Sequence, residues 1–374
     1  MSEVLAILGG GQLAQMLGAA ASKLGVRCRA LDPSPAACAA RTCDLITGAF
    51  DDPVSLERLI DGASALTFEF ENVPASALAE AHRAGVIVRP GVEALRVASD
   101  RLLEKQLFQA SGMAVPAYLA VESTDDLRRA LETIGCPLLL KARSGGYDGR
   151  SQARVDTPDD AELAWASIGR APCLAEARVD LLGEVSVIAC RSHTGEVALY
   201  PLAANEHHHG ILVRSQSPAE VSEEISSTAR AWTRAVLERL DYVGVLALEL
   251  FVTPDGLLAN ECAPRVHNTG HSTIEGNQTS QFENHVRAVL GMELGSTDPI
   301  GHAVMRNLIG TVPKGLDRLR GPGVWAHDYG KAPRAGRKLG HITVIGESPA
   351  EVAKIEQAML RSLEPEWASD TRTS

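Results

Sequence analysis

Two acidic residues stand inside what reads as an apolar β-hairpin, and this constrains the fold more than any other feature of the chain. Residues 243–252 (VGVLALELFV) are apolar except for Glu249. The turn Pro254-Asp255-Gly256 folds that strand back on Leu257-Leu258-Ala259-Asn260-Glu261. A three-residue Pro-Asp-Gly loop suits a type I turn closed by Gly in the left-handed region. That loop pairs Thr253 with Leu257 and sets Glu249 opposite Glu261; a two-residue loop pairs Glu249 with Asn260 instead. Directly opposed residues have Cβ atoms about 5 Å apart, where like charges repel. Two carboxylates facing each other over apolar strands call for a compensating charge, and a hard divalent cation such as Mg2+ is the usual one.

Size and composition exclude several classes. A chain of 374 residues is long enough for two or three domains with real cores. Its net charge of −11, from 36 basic and 47 acidic residues, argues against nucleic acid or an anionic membrane as partner. Met1-Ser2-Glu3 carries no basic leader, and no apolar run reaches the roughly 20 residues of a membrane span. Seven cysteines without a C-x-x-C pair point to a reducing cytoplasm rather than disulfides or structural zinc.

The first hundred residues alternate strand and helix. Strands are expected at 4–8, 27–31, 65–70 and 86–88, with a helix from the glycine turn to about residue 24, which implies an open, mainly parallel sheet. A charged helix at 98–110 opens a second region. There, strands are expected at 137–142, 173–176 and 184–190, a long helix at 219–239, the acidic hairpin, and a helix at 279–290. Residues 291–301 read as a linker, and the remainder as short strands with a final helix near 350–363.

Each motif has a bland reading beside the functional one. Gly9-Gly10-Gly11 after a strand, with Asp32 after the next, imitates a dinucleotide fingerprint, so a nicotinamide-dependent dehydrogenase is a competing class. The same glycines can simply let the first helix pack on the sheet, with its N-terminus open to an anion. Ser144-Gly145-Gly146-Tyr147-Asp148-Gly149-Arg150 lacks a P-loop ending. Beside Lys141 it is either a phosphate-wrapping loop or an exposed flexible one. Lys331, Arg334, Arg337 and Lys338 form an acid-free basic segment, either a solvated face or a phosphate site. His207-His208-His209 is not a tri-histidine metal site, because successive residues of an extended segment point to opposite sides. Asn260 to Asn268 runs from the acidic strand into Arg265, His267 and Asn268. A cation site, an anion-binding arginine and a proton-transfer histidine side by side suit activation of an anion by phosphoryl transfer.

These blocks, with Phe68-Glu69-Phe70-Glu71-Asn72-Val73-Pro74 and Gly336-Arg337-Lys338-Leu339-Gly340-His341, resemble the N5-carboxyaminoimidazole ribonucleotide synthetase family of the ATP-grasp superfamily over nearly the whole chain. The resemblance implies a mixed α/β architecture. It comprises a Rossmann-like pre-ATP-grasp domain (1–98), an ATP-grasp domain (99–298, with a mobile lid at about 114–180) and a small β-rich C-terminal domain (299–374). It implies carboxylation of 5-aminoimidazole ribonucleotide with bicarbonate and ATP through carboxyphosphate, in purine biosynthesis, by a cytoplasmic homodimer. ATP contacts are implied at Arg101, Lys141, Gly146, Tyr147, Asp148, Gly149, Arg150, Ser151, Gln152, Glu176, Ala177, Arg178, Val179, Glu184, His207, Asn260 and Glu261. Glu176 to Val179 would line the adenine largely through backbone, and Glu184 would meet the ribose. Glu249 and Glu261 would hold Mg2+. Arg265, His267 and Asn268, with Lys338, would carry the carboxylation chemistry. Gly11, Gln12, Tyr147, Asp148, Arg150, Lys331, Arg337 and Lys338 would bind the ribonucleotide. The chain departs from the usual pattern at Ala263, at Ala177-Arg178 and at Ser272. Another ATP-grasp ligase, the formate-using transformylase of the same pathway, is the nearer alternative.

Overall fold

The computed structural model describes residues 3–145, 151–316, 319 and 321–363. The expected loop residues Gly146, Tyr147, Asp148, Gly149 and Arg150 lie outside the described residues. The first region runs β1 (Val4–Leu8), α1 (Gln12–Lys23), β2 (Arg27–Asp32), β3 (Asp44–Thr47), α2 (Pro53–Ile60), β4 (Ala65–Phe68), α3 (Ala75–Arg83), β5 (Ile87–Val88) and α4 (Val92–Ala98). The middle runs α5 (Arg101–Ala110), β6 (Tyr118–Val121), α6 (Thr124–Ile134), β7 (Leu138–Ala142), β8 (Gln152–Val155), α7 (Ala161–Ser167), β9 (Cys173–Ala177), β10 (Gly183–Arg191), β11 (Val197–Leu199), β12 (Ala203–His208), β13 (Ile211–Ser217), α8 (Glu223–Arg239), β14 (Gly244–Thr253), β15 (Gly256–Ala263), α9 (Thr273–Gly276) and α10 (Gln281–Leu290). The last part holds β16 (His302–Ile309), β17 (Val324–Asp328), β18 (Lys338–Gly346) and α11 (Pro349–Ser362).

Among the described residues the strands form three sheets. The first is wholly parallel, in the order β3-β2-β1-β4-β5. Its central strand β1 is buried at every position, as a continuous apolar run in a covered parallel sheet should be. One face carries α2 and α3 against Leu8, Leu31, Leu66 and Phe68. The other packs α1 and α10 together with β10 and β14, so Leu5, Ile7 and Leu17 share a core with Ile188, Val245, Phe282 and Val286. Each fully buried Leu or Phe contributes about 1.5–3 kcal/mol, so this shared core joins the two regions firmly.

A four-stranded sheet, β6-β9-β7-β8, stands apart with α6 and α7 around its own core of Leu138, Leu140, Trp165 and Ala175. The largest sheet runs β15-β14-β10-β12-β13-β16-β18-β17, with β11 alongside β10. The C-terminal strands therefore continue the sheet that carries the acidic hairpin.

Three local expectations are corrected. The helix expected at 98–110 begins at Arg101, because Ala98 ends α4 and Asp100 caps α5 by accepting from Leu102 N at 2.9 Å. The long helix begins at Glu223, not at 219, since Ser222 is its cap and Pro218 precedes it. The strands of the last part are not all short: β16 spans 8 residues and β18 spans 9, paired along nearly their full length.

Candidate active site

The hairpin closes differently from expectation yet delivers the expected pair. Thr253 pairs with Gly256, so the loop is the two residues Pro254-Asp255, and Leu250 pairs with Ala259. A β-bulge at Asn260 then shifts the register by one, and Glu249 faces Glu261 after all. The bulge is held from behind: buried Lys105 on α5 donates to the carbonyls of Ala259 at 3.2 Å and Asn260 at 2.9 Å. Nothing in the local sequence signals that support, because it arrives from a residue about 155 positions away.

Around the pair the structure gathers five of the expected residues. Arg101 Nη1 lies 3.4 Å from Glu261 Oε2, and His267 Nδ1 lies 3.6 Å from Glu249 Oε1. His207 Nδ1 is 2.8 Å from Glu184 Oε2, on strands that are direct neighbours. Lys338 opens β18 and brings its positive charge to bear on Glu249, His207 and His267. Burial, and then the charge of Glu261 opposite, push the Glu249 carboxyl up to about 8. Burial also drives His267 well below the ordinary imidazole range, aided by the charges of Arg265 and Lys338, so it is a neutral ring. Burial opposes charge on His207 too, but the hydrogen bond to Glu184 outweighs it and raises its pKa. A buried Glu249 facing a half-exposed Glu261 is a donor pair that a divalent cation can satisfy. Glu249 and Glu261 could therefore hold a divalent cation such as Mg2+. His208 and His209 take no part, and no group of three or more metal-ligating side chains occurs among the described residues.

The nucleotide-side residues converge on β7 and β9. Lys141 and Lys105 flank the Glu176 carboxylate at 2.5 and 3.0 Å, all three buried. Glu176 is expected to line the adenine largely through backbone; its side chain is the shared counterion of two lysines. Burial tends to raise its pKa, and the two ammonium groups overcome this and lower it. Gln152 pairs with Lys141 across β7 and β8, and Ser151 O accepts from Ala142 N at 2.9 Å. The N–H groups of Ala177 and Arg178 are already bonded to Ala117 O at 2.8 Å and Pro137 O at 3.3 Å.

On the other side, Lys331 Nζ bonds Gln12 Oε1, which brings the basic segment to the start of α1. Burial lowers the Lys331 pKa, and the charge of Arg337 adds to this. Arg337 itself donates to Ala332 O at 3.2 Å. The anion seat at the α1 N-terminus is taken by a side chain: Glu69 accepts from Gly11 N and, at 2.9 Å, from Ala14 N. A Cβ at Gly11 would sit 2.6 Å from Glu69 Oε1, so a larger residue there would push the carboxylate out of this seat. Asp32 turns back on the same loop, accepting from Gly10 N at 2.9 Å and Ser34 N at 2.8 Å. This is the opposite of a dinucleotide site, where both the helix N-terminus and the acid must face a ligand. Glu71 pairs with Arg265 and ties the bicarbonate candidates to the first region. The motif containing Glu69 and Glu71 was visible in sequence, but their roles were not; Lys105 was missed altogether.

Comparison with known proteins bears on the same stretches. Family models match a ribonucleotide synthetase preATP-grasp domain at 1–99, an ATP-grasp domain at 106–282 and a phosphoribosylaminoimidazole carboxylase C-terminal domain at 303–355. The N5-carboxyaminoimidazole ribonucleotide synthase of Pseudomonas aeruginosa is 45% identical over 340 residues, covering 91% of this chain and 94% of that protein. The crystal structure of the synthetase from Thermus thermophilus superposes with a TM-score of 0.91 at 45% identity, covering 97% of this chain and 98% of that one. The synthase from Aspergillus clavatus, in complex with ADP and 5-aminoimidazole ribonucleotide, gives 0.88 at 28% identity over 96% and 98%. The chain belongs to the N5-carboxyaminoimidazole ribonucleotide synthase family and is an ATP-dependent ligase of the ATP-grasp superfamily.

Proposed function

We propose that this pocket uses ATP to activate bicarbonate and transfers the carboxyl group to the amine of 5-aminoimidazole ribonucleotide. The products are N5-carboxyaminoimidazole ribonucleotide, ADP and phosphate. The observation that carries the reading is Glu249 facing Glu261 beside Arg101, His267 and Lys338. Mg2+ held there with the ATP phosphates offsets the charge that develops on the transferring phosphoryl group. Lys141 and Arg101 hold the nucleotide phosphates, and Glu184 with His207 marks the ribose end. The N–H groups of Ala177 and Arg178 being engaged, and β9 being paired on both edges as far as Ala177, the backbone beyond it at Val179 is left to meet the base.

Bicarbonate lies against Arg265, His267, Asn268 and Lys338. Its oxygen attacks the γ-phosphorus, the bond to ADP breaks, and carboxyphosphate forms. Carboxyphosphate then splits to CO2 and phosphate, and the substrate amine captures CO2. A neutral His267 orients the carboxyl group by hydrogen bonding; burial and the positive charges beside it keep it from entering the reaction as an acid. Lys331, Arg337 and Gln12 hold the 5′-phosphate of the ribonucleotide, with Tyr147, Asp148 and Arg150 closing over its base. In this reading the four-stranded sheet with α6 and α7 is the lid, and its closure excludes the water that would hydrolyse carboxyphosphate. A cytoplasmic homodimer belongs to the same reading.

The test is ADP release with and without each co-substrate, and the fate of labelled bicarbonate. Label recovered in the ribonucleotide product, with ADP release dependent on bicarbonate, supports the assignment. Incorporation of formate instead would place the chain with the transformylases.

A further inference from the structure

The segment that presents His267 and Asn268 is not part of any strand, yet it is held at both residues by buried amides from elsewhere in the fold. Gln281, the first residue of α10, is 0% exposed. Its Oε1 accepts from His267 N at 2.9 Å, and its Nε2 donates to His267 O at 2.6 Å. One side chain thus reproduces the two-bond exchange of a sheet pair for a residue that has no sheet partner. Gln281 Nε2 also lies 3.4 Å from His271 Nδ1, and Gln281 N donates to Thr273 Oγ1 at 3.0 Å. The amide occupies a slot shaped for it. A Cβ on Gly270 would lie 2.7 Å from Gln281 Cδ, so any larger residue there would displace it.

Asn307 on β16 does the same for the next residue. It is 2% exposed, accepts from Asn268 Nδ2 at 3.0 Å and donates back to Asn268 Oδ1 at 2.6 Å. Its own orientation is fixed by Leu212 O at 2.8 Å. The Asn268 carboxamide keeps one N–H and one lone-pair direction for a ligand. Consecutive residues are clamped from two different elements, and each clamp controls an angle: the turn of the His267 backbone, and the plane of the Asn268 amide.

We propose that Gln281 and Asn307 are positioning residues for carboxyl transfer, fixing His267 and Asn268 against the CO2 released from carboxyphosphate. The proposal rests on the reading above, in which His267 and Asn268 hold bicarbonate and then the CO2 released from carboxyphosphate. The hydrogen bonds of Gln281 and Asn307 run to His267, Asn268, His271, Thr273 and Leu212, so their loss should spoil capture more than it slows ATP turnover. A plain structural role would lower stability without changing how ADP release and product formation are coupled.

The experiment measures ADP released per carboxylated product, KM for ATP and bicarbonate, and the thermal midpoint, for Gln281→Met, Gln281→Glu, Asn307→Asp and His267→Ala. Gln281→Met removes both bonds at nearly constant volume. It should raise the ADP-to-product ratio by about tenfold, the scale on which lost orientation slows a step, with KM for ATP within about twofold of the parent. Gln281→Glu keeps the acceptor for His267 N and should fall between the two. Should Gln281→Met fail to fold, Asn307→Asp decides the matter, since it keeps its shape and its acceptor while losing the donors to Asn268 and Leu212. A folded variant at either position with lowered thermal midpoint and unchanged coupling overturns the proposal. If His267→Ala uncouples the reaction and these variants do not, the proposal alone fails; if His267→Ala also leaves coupling unchanged, the reading of the site fails with it.

Discussion

Lys105 Nζ stands 3.0 Å from Glu176 Oε2, with 3% and 2% of the two side chains exposed. The same ammonium holds the bulge carbonyl of Asn260, so one cation ties the four-stranded sheet to the strand that bears Glu261. Replacing it with Met leaves Lys141 as the sole partner of a buried carboxylate and frees the bulge. Removing one member of a buried ion pair typically destabilises by about 3–5 kcal/mol; with Lys141 still in place, about 2–4 kcal/mol is expected for Lys105→Met. Urea unfolding gives the stability, and KM for ATP should rise in the same variant. A stable protein with unaltered ATP kinetics would show that the bulge needs no support.

Glu261→Gln keeps the shape of the hairpin and removes a cation ligand. ATP turnover should fall by at least about a hundredfold, as losing an electrostatic stabiliser of the transition state commonly does. The thermal midpoint should change little, because Glu249 opposite, its carboxyl pushed up to about 8, carries little charge near neutrality and the Arg101 contact that is lost is long, at 3.4 Å. ADP production at the parent rate would remove both acids from the metal assignment.

His267→Ala should impair carboxylated product more than ATP hydrolysis. The ring is mostly buried, neutral and 3.0 Å from Thr269 Oγ1, and in the proposed reading it holds the carboxyl group through to capture by the amine. Comparing ADP with product in single turnovers separates the halves. Equal loss of both would make His267 part of ATP binding.

Arg337→Ala should raise KM for the ribonucleotide about tenfold to a hundredfold, the value of one or two charge-assisted hydrogen bonds of about 1.5–3 kcal/mol each. KM for ATP should hardly move, because Arg337 and Lys331 meet the first region near Gln12 rather than the nucleotide strands. Lysine at this position should rescue in part, keeping charge without the fork. The reverse pattern, ATP affected and the ribonucleotide not, would hand the basic segment to the nucleotide.

Acid should loosen the join between the first two regions through His285. Its Nδ1 accepts from Val245 N at 3.0 Å, so its Nε2 carries the hydrogen it donates to Thr67 Oγ1 at 2.8 Å. Burial holds its pKa down at about 3, against an ordinary 6.5. The neutral ring is favoured in the folded state, so its stabilisation is complete above pH 6.5 and is lost as pH falls toward about 3. The full shift corresponds to at most about 4–5 kcal/mol. Urea midpoints for the parent should fall more steeply between pH 6.5 and about 4 than those of His285→Gln. Parallel slopes would mean that His285 does not titrate with unfolding.

The sequence revealed the acidic pair but not the route to it. Hairpin rules make Pro-Asp-Gly a three-residue loop, and the two-residue loop alone would have set Glu249 against Asn260; the bulge at Asn260 restores the pair. That compensation depends on Lys105, a tertiary effect that hairpin rules do not contain. The parallel sheet was legible because β1 and β4 are buried on both faces and read as unbroken apolar runs. The split at Ser99-Asp100 was also legible, since Asp is a good helix cap, but the charge pattern ran on past it. Glu69, Gln281 and Asn307 were not, because a buried carboxylate or amide declares its role only through the backbone groups and side chains it meets.

The unbroken run of strands from β15 to β17 has a consequence for modularity. β16 hydrogen-bonds along β13 from Arg214 to Ser217, so the last part of the chain is the neighbour that closes the edge of the sheet. A chain ended at Ile300 would bare the N–H and C=O groups of β13, an edge of the kind that templates self-association. Such a fragment should aggregate rather than persist as an ATPase stripped of its acceptor site. The basic segment proposed to hold the acceptor's phosphate and the acidic hairpin therefore stand on one continuous sheet and share its stability.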